Sequence, residues 1–145
     1  MTGFHMALGI AVLAANLLAG LWGGIAWLRK DPRGAIVFWP LLRVAQATVV
    51  LQAVVGGLLL AGGERAPDGL HALYGIAPLF VALVSEAMRA GVAQRELEAI
   101  DDLDALDRPA KVALARRVAL NEMGVMTVGA LLILTLALRA YQTGS

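Results

Sequence analysis

Two histidines, His5 and His71, are the residues whose type and placement favour cofactor chemistry. Each lies near the start of a long apolar segment, and these are the first and third of four such segments. Segments that cross a membrane in alternating directions would bring both imidazoles to a similar depth near one face. Because haem iron readily takes histidine as an axial ligand, the pair predicts a haem or a metal ion held between two helices.

Small and polar residues share a helix face with each histidine. At about 100° per residue, His5 falls on one face with Gly9 and Asn16, and His71 falls on one face with Tyr74. Small residues let helices approach, and polar residues avoid lipid by facing the interior. We therefore expect both faces to point into a bundle. In the alternative interpretation, each histidine is only a polar residue at a helix end.

A second polar group lies further along the segments and is mostly charged. It consists of Arg43, Glu86, Arg89, Asn121 and Glu122. A charge in hydrocarbon costs about 2.5 to 3.5 kcal/mol on insertion scales, so such groups pair or face water. One interpretation is a buried pair from Arg43 to Glu86 or Glu122 that fixes helix register. The other is a polar pocket for a quinone head group, a proton or a haem propionate, to which Gln46 adds an amide.

The composition requires a lipid environment. Of 145 residues, 59% are hydrophobic, which exceeds the roughly half-apolar usage of a soluble domain. Twelve basic residues nearly balance eleven acidic ones, so the charge disfavours nucleic acid as a partner. The absence of cysteine excludes disulfides, thiolate metal sites and covalent haem attachment. No Walker-type loop, H-E-x-x-H step or serine beside a base appears, which disfavours soluble-enzyme functions. A non-enzymatic protein is expected, and the alternative is an acid–base membrane enzyme that uses Glu86 or Glu122.

Four windows are long enough for spanning helices, which need about 20 apolar residues each. They are predicted at about 6–28, 35–61, 70–88 and 113–140, separated by turns rich in glycine and proline at 31–34 and 62–69. The expected fold is all-α: one domain, residues 1–145, forming a four-helix transmembrane bundle. The charged stretch 89–117 carries leucines at near-helical spacing. It is predicted to extend the third helix and then form a surface helix; the alternative is a helix that docks a partner.

Basic residues are concentrated in two of the three linkers. Linkers 29–34 and 89–117 hold most of the arginines and lysines, whereas 62–69 has only Arg65. Positive charge next to spanning helices stays cytoplasmic, so both termini should face outward from a plasma (inner) membrane. A small-xxx-small step at Gly20 and Gly24 predicts close packing inside the bundle, with a homodimer contact as the alternative.

Three stretches resemble one four-helix half of a haem A synthase: 43–46 (RVAQ), 51–57 (LQAVVGG) and 70–75 (LHALYG). They are also similar to small bacterial membrane proteins with a Leu-His-x-Leu-Tyr-Gly step, and the resemblance covers about a third of the chain. Each synthase half holds a haem between histidines on its second and fourth helices, with a glutamate one turn before a ligand. This chain has its histidines on the first and third segments without that glutamate. The resemblance therefore implies haem binding and not the synthase reaction.

These features together predict a small cytochrome-like membrane protein that binds haem b through His5 and His71 and serves respiratory electron transfer or haem maturation. The expected cofactor-binding residues are His5, His71, Tyr74, Asn16, Arg43 and Gln46. One alternative is a non-enzymatic bundle that binds a partner membrane protein, with Arg43, Glu86 and Glu122 as internal braces. The other is a small transporter whose pathway the same charges line.

Overall fold

Four long helices contain most of the chain. In an apolar environment, a helix satisfies the backbone amides of a segment with hydrogen bonds inside that segment. The computed structural model describes residues 2–66 and 68–144. The helices are α1 (Thr2–Leu28), α2 (Ala35–Ala61), α3 (Gly69–Glu98) and α4 (Arg108–Thr143), and a short 3₁₀ helix (Pro32–Gly34) precedes α2. No strand occurs in these residues, so the described chain is all-helical.

Aspartate side chains cap three of the helical elements. Asp31, Asp68 and Asp107 each accept a hydrogen bond from a backbone amide of the first helical turn that follows. An aspartate at this position satisfies one of the amides that a helix start leaves unpaired. At the end of α2, Gly63 has a φ of 88°, a left-handed conformation that glycine adopts without steric cost.

The charged stretch between α3 and α4 is mostly a continuation of those two helices. α3 runs on to Glu98 and α4 already begins at Arg108, so only 99–107 connects them. The prediction that α3 is extended agrees with this, but the separate surface helix predicted within 89–117 does not form. The reason is tertiary: Glu96 of α3 accepts hydrogen bonds from Arg117 and Asn121 of α4, which holds the two extensions together as a hairpin.

Consecutive helices run antiparallel, and α2 and α4 each contact all three other helices. α4 packs closely against α1 and α3, α1 packs against α2, and α2 meets α3 and α4 only loosely. α1 and α3 lie on opposite sides of the bundle. We call the end where α1 and α3 begin the histidine end, and the end that holds 29–34 and 99–107 the linker end.

The bundle is packed most tightly in its linker half. The core there consists of Ala19, Ala26, Phe38, Leu42, Ala45, Met123, Met126 and Ala130. A smaller cluster nearer the histidine end consists of Val12, Val49, Ala82 and Ile133. The two clusters together fill the middle of the bundle.

Large apolar side chains cover the outside of the bundle. Leu18, Val44, Leu58, Phe80 and Leu83 are all more than half exposed. A soluble monomer rarely exposes so continuous an apolar surface to water. All four helices are also long and apolar enough to cross a membrane, so the exterior is the kind that lipid covers.

Glycines set the closest helix contacts. A Cβ on Gly23 of α1 would collide with the Thr127 hydroxyl and the Phe38 ring, and one on Gly20 would collide with Leu131. A Cβ on Gly24 would make only an ordinary contact, at 3.8 Å from Thr127. The small-xxx-small step at Gly20 and Gly24 therefore faces α4 within the bundle.

Gly23→Ala should destabilise the protein by about 1 to 3 kcal/mol, the usual cost of inserting a methyl group into a filled core. Gly24→Ala, the next residue on the same helix, should cause no loss, because its methyl group meets only an ordinary contact. Thermal unfolding in detergent, followed by tryptophan fluorescence, measures both. Equal melting temperatures for the two variants would contradict this packing of α1 on α4.

Candidate functional site

A cavity of about 940 Å³ lies at the histidine end and is lined by all four helices. His5 enters it from α1 and His71 from α3, and their ring centroids are 6.2 Å apart with the rings at 68°. α1 and α3 do not pack on each other, so the two side chains meet across the space between them. The cavity forms where α2 and α3 separate.

His71 is oriented by two contacts. Its backbone amide is capped by Asp68 at 2.7 Å, which places it in the first turn of α3. Its Nδ1 lies 2.9 Å from the carbonyl oxygen of Ala140, in the last turn of α4. Carbonyls of a last turn lack a backbone donor within the helix, and this oxygen also accepts from the Thr143 hydroxyl at 3.2 Å. Since the carbonyl only accepts, Nδ1 is the donor in its contact with His71, which is the arrangement of histidines that bind metals through Nε2.

His5 has weaker hydrogen-bond contacts than His71. Its Nε2 lies 3.4 Å from the Nε2 of Gln52 on α2, a long contact. In the part of the chain that the structure describes, His5 Nδ1 and Gln52 Oε1 are both buried without a hydrogen-bond partner. Buried polar atoms normally have partners, and exceptions call for an explanation such as an absent ligand. The third such atom among the described residues, Thr127 Oγ1, lies in the linker half, so two of the three are beside this cavity.

Glycines make room for these side chains. A Cβ on Gly56 would lie 3.2 Å from the His5 ring, and one on Gly9 would lie 3.4 Å from the Gln52 amide. Pro78 of α3 also lines the cavity, and as a proline it gives no amide proton to the carbonyl of Tyr74, four residues earlier. This carbonyl adds an acceptor near the cavity wall. Gln52 and the Ala140 carbonyl were not among the predicted site residues, because neither has a sequence signal that ties it to a particular histidine.

The structure places the predicted cofactor-binding residues at two separate locations. His5, His71 and Tyr74 line the cavity. Asn16 lies below it, fully buried, and donates to the carbonyl of Val12 on its own helix at 2.9 Å. Arg43 and Gln46 also lie outside the lining, since the α2 residues that reach the cavity begin at Val49. Nine residues of helix, roughly 13 Å, separate Arg43 from Gln52.

Arg43, Glu86, Arg89 and Glu122 form an ion-pair chain across α2, α3 and α4. Arg43 donates to Glu86 Oε1 at 2.5 Å, and Arg89 donates to Glu86 Oε2 at 2.8 Å and to Glu122 at 3.4 Å. Gln46 accepts from Arg43 at 2.6 Å and donates to Glu86 at 2.8 Å. The question of whether Arg43 pairs with Glu86 or Glu122 is thus answered in favour of Glu86, and Arg89 bridges the two glutamates.

Trp39 lies beside both arginines of the ion-pair chain. The Arg43 and Arg89 guanidinium carbons lie 5.8 Å and 5.4 Å from its ring centroid, which is cation–π distance. The placement of Trp39 one helical turn before Arg43 is a sequence signal for the first contact. The second requires α3 to pack beside α2.

Two details of the predicted buried cluster differ in the structure. Asn121 is exposed and donates to Glu96 at 2.9 Å, outside the ion-pair chain, because it lies on a different face of α4 from Glu122. Arg43 is also not buried: 53% of its side chain is exposed, against 18% for Glu122. The chain of charges therefore runs from the bundle surface inward.

The described residues hold no group of three or more histidines, cysteines, aspartates or glutamates placed to bind a metal ion. The histidine cavity offers two ligands only. Two protein ligands suit a metal whose other positions a macrocycle fills, as in haem. They do not make the four-ligand set of a structural metal site.

Glu86→Gln should lower stability by about 1 kcal/mol, near the upper range of polar contacts measured in membrane bundles. The reason is that Glu86 accepts from two arginines and one glutamine. Glu122→Gln should cost less, since Glu122 has a single contact at 3.4 Å. Thermal unfolding in detergent compares them, with Glu64→Gln, at an exposed position between α2 and α3, as control. A larger loss for Glu122→Gln than for Glu86→Gln would contradict the assignment.

Comparison with known proteins adds no relative. No protein-family model matches the chain, and neither a curated protein nor a solved structure matches it. The geometry of the histidine cavity and of the ion-pair chain is therefore the basis on which a function is argued.

Proposed function

We propose that this protein binds haem b between His5 and His71 and acts as a small membrane cytochrome. The observation that carries the proposal is the meeting of the two imidazoles in one cavity, with centroids 6.2 Å apart. Imidazoles on opposite sides of one metal, each with a bond of about 2.0 Å, have ring centres roughly 6 Å apart. The separation thus suits a shared iron.

Three further features support haem as the ligand. The Ala140 carbonyl is bonded to Nδ1 of His71, so Nε2 is the ring nitrogen available to a metal. Among the described residues, His5 Nδ1 and Gln52 Oε1 are buried without hydrogen-bond partners, so both can interact with a ligand beside His5. A volume of about 940 Å³ lies at the upper end of the range of about 300 to 1,000 Å³ for ligand sites. The residues present therefore fit a flat, largely apolar cofactor with two axial histidines.

The fit also favours a carrier over an enzyme. When bound, a haem with two protein ligands supplies one-electron transfer and has no open position for a substrate. The chain's own residues would hold and orient it: His5 and His71 by ligation, Gln52 and the Ala140 carbonyl by hydrogen bonds to the rings. With this chemistry, we extend the proposal to a role in respiratory electron transfer or haem maturation.

The test is a visible spectrum of protein purified in detergent after expression with added haem precursor. We expect a Soret band that shifts on dithionite reduction and is lost in His71→Ala. His71→Met should retain the haem with a higher reduction potential, since methionine replaces histidine as axial ligand. Gln94→Ala, an exposed polar position on the same helix, is the control and should keep the wild-type spectrum.

A colourless wild-type protein would refute haem binding. A His71→Met spectrum and potential identical to wild type would refute the role of His71. Circular dichroism of each variant separates loss of haem from loss of fold.

A second candidate is a bundle that binds a partner membrane protein, with the charges as internal braces. It is favoured by the ion-pair chain, in which each of the four charges contacts another member. Charges that satisfy one another stabilise helix register. A transport pathway would instead need them to face water, and the packed residues Phe38 and Met123 occupy the middle of the bundle.

Both candidates share one orientation: the basic linker end in the cytoplasm and the histidine end outside a plasma membrane. Since the chain has no cysteine, introduced cysteines report it cleanly. Glu64→Cys should react with a membrane-impermeant maleimide on intact cells, whereas Ala105→Cys should react only after permeabilisation. Both positions are exposed. The reverse pattern of labelling would overturn the orientation.

A further inference from the structure

The four helices enclose the histidine cavity unevenly. α1 packs closely against α2 and α4, and α3 packs closely against α4, whereas α2 and α3 meet only loosely. Arg43 and Gln46 of α2 both donate to Glu86 of α3, and Val49 shares an apolar cluster with Ala82. These contacts between α2 and α3 lie on the linker side of the cavity or at its floor. The loosest part of the wall is therefore the gap between α2 and α3 beside the cavity.

Exposed residues of the lining show where the cavity is open. On α1 and α4 they lie within about one turn of the helix end, as far in as Met6 and Tyr141. On α3 they continue to Ile76, about two turns inside the start of the helix. Leu73 and Ile76 are both about half exposed. The cavity is thus open further down the side of α3 than at α1 or α4.

Two glycines lie at the open side. Gly57 of α2 and Gly75 of α3 line the cavity, and a Cβ on either would meet no other atom within 4 Å. A Cβ on the neighbouring Gly56 would instead lie 3.2 Å from the His5 ring. Since α2 and α3 are the helices that meet loosely, the empty space beside Gly57 and Gly75 belongs to the gap between them.

The end of the cavity differs from its side in chemistry. The turn that joins α2 to α3 spans the gap at this end, and Glu64, Arg65 and Ala66 of the turn line the cavity. A ligand that came through this end would pass two exposed charged side chains. A ligand that came between the helices would pass apolar side chains such as Leu60 and Leu73. The side route therefore suits an apolar ligand.

We infer that the histidine cavity opens sideways into the bilayer between α2 and α3, and that its ligand enters from the lipid. The ligand class is an amphiphile that dissolves in a membrane and carries a group for the imidazoles and for the unpartnered Gln52 oxygen. The opening follows from the helix packing. Haem as the molecule that uses the opening rests on the proposed function.

A tryptophan introduced into the cavity tests the opening without haem. Tyr74→Trp places an indole in the lining, and protein made without added haem precursor is reconstituted in vesicles of brominated phosphatidylcholine. The fluorescence that the substitution adds to that of the native tryptophans should be quenched by the lipid. Gly57→Phe in the same protein should reduce this quenching, because its ring occupies the gap.

Gly91→Phe is the matched control for the block. Gly91 also lies within a helix, and a Cβ there would also meet no other atom within 4 Å, but it is not part of the cavity lining. It should leave the quenching unchanged, and circular dichroism should show the wild-type fold for both variants. An added indole that the lipid does not quench, or equal quenching with Gly57→Phe and Gly91→Phe, would overturn the sideways opening.

Entry of haem is measured as the rate at which a Soret band forms after haemin is added to the apoprotein in vesicles. Gly57→Phe should slow this rate about tenfold, which corresponds to about 1.4 kcal/mol of added barrier, and leave the final spectrum unchanged. Arg65→Phe places the same ring in the turn at the end of the cavity, and it should leave the rate unchanged.

The two measurements separate this inference from the proposed function. A slower rate in Arg65→Phe together with an unchanged rate in Gly57→Phe would show entry through the end of the cavity and overturn the inference. If the lipid quenches the introduced indole as expected but no Soret band forms in any of the proteins, haem binding is refuted and the sideways opening stands.

Discussion

Inside a bilayer no water is present to form hydrogen bonds with a polar group. This constraint determines both the backbone conformation and the pairing of polar side chains. The backbone satisfies it by forming four helices, whose amides bond within each segment. Side chains satisfy it by pairing: Arg43, Glu86 and Arg89 exchange hydrogen bonds across two helices, and Asn16 bonds back to its own helix. A polar atom left without a partner is thus more conspicuous here than in a soluble protein. His5 and Gln52 have such atoms, and both lie at the histidine cavity.

The helices are packed more closely in one half of the bundle than in the other. Lipid is as apolar as the core, so helices associate through tight contact more than through burial. Gly20 and Gly23 bring α1 against α4 in the linker half. At the histidine end α2 and α3 separate, and the cavity occupies the resulting space. The same chain therefore has a rigid half and a half with room for a ligand.

The two halves differ in the kind of polar chemistry they contain. In the linker half the four charges of the ion-pair chain contact one another, so they stabilise helix register and have little capacity left for a ligand. In the histidine half His5 and Gln52 have hydrogen-bonding capacity left over beside open space, and Glu64 and Arg65 also line the cavity. This difference explains why a cofactor is proposed at the histidine end.

The four apolar segments, the breaks between them and the continuation of α3 were predictable from the sequence, because hydropathy and turn chemistry are local properties of the chain. The sequence also predicted that the two histidines lie at one depth. The pairing of Arg43 with Glu86, the contact of Asn121 with Glu96 and the absence of a separate surface helix in the described residues before α4 depend instead on tertiary packing. Those outcomes depend on how each helix is rotated and which neighbour it meets. Rotation is set by glycine contacts between segments far apart in sequence, and one sequence does not show which of these contacts form.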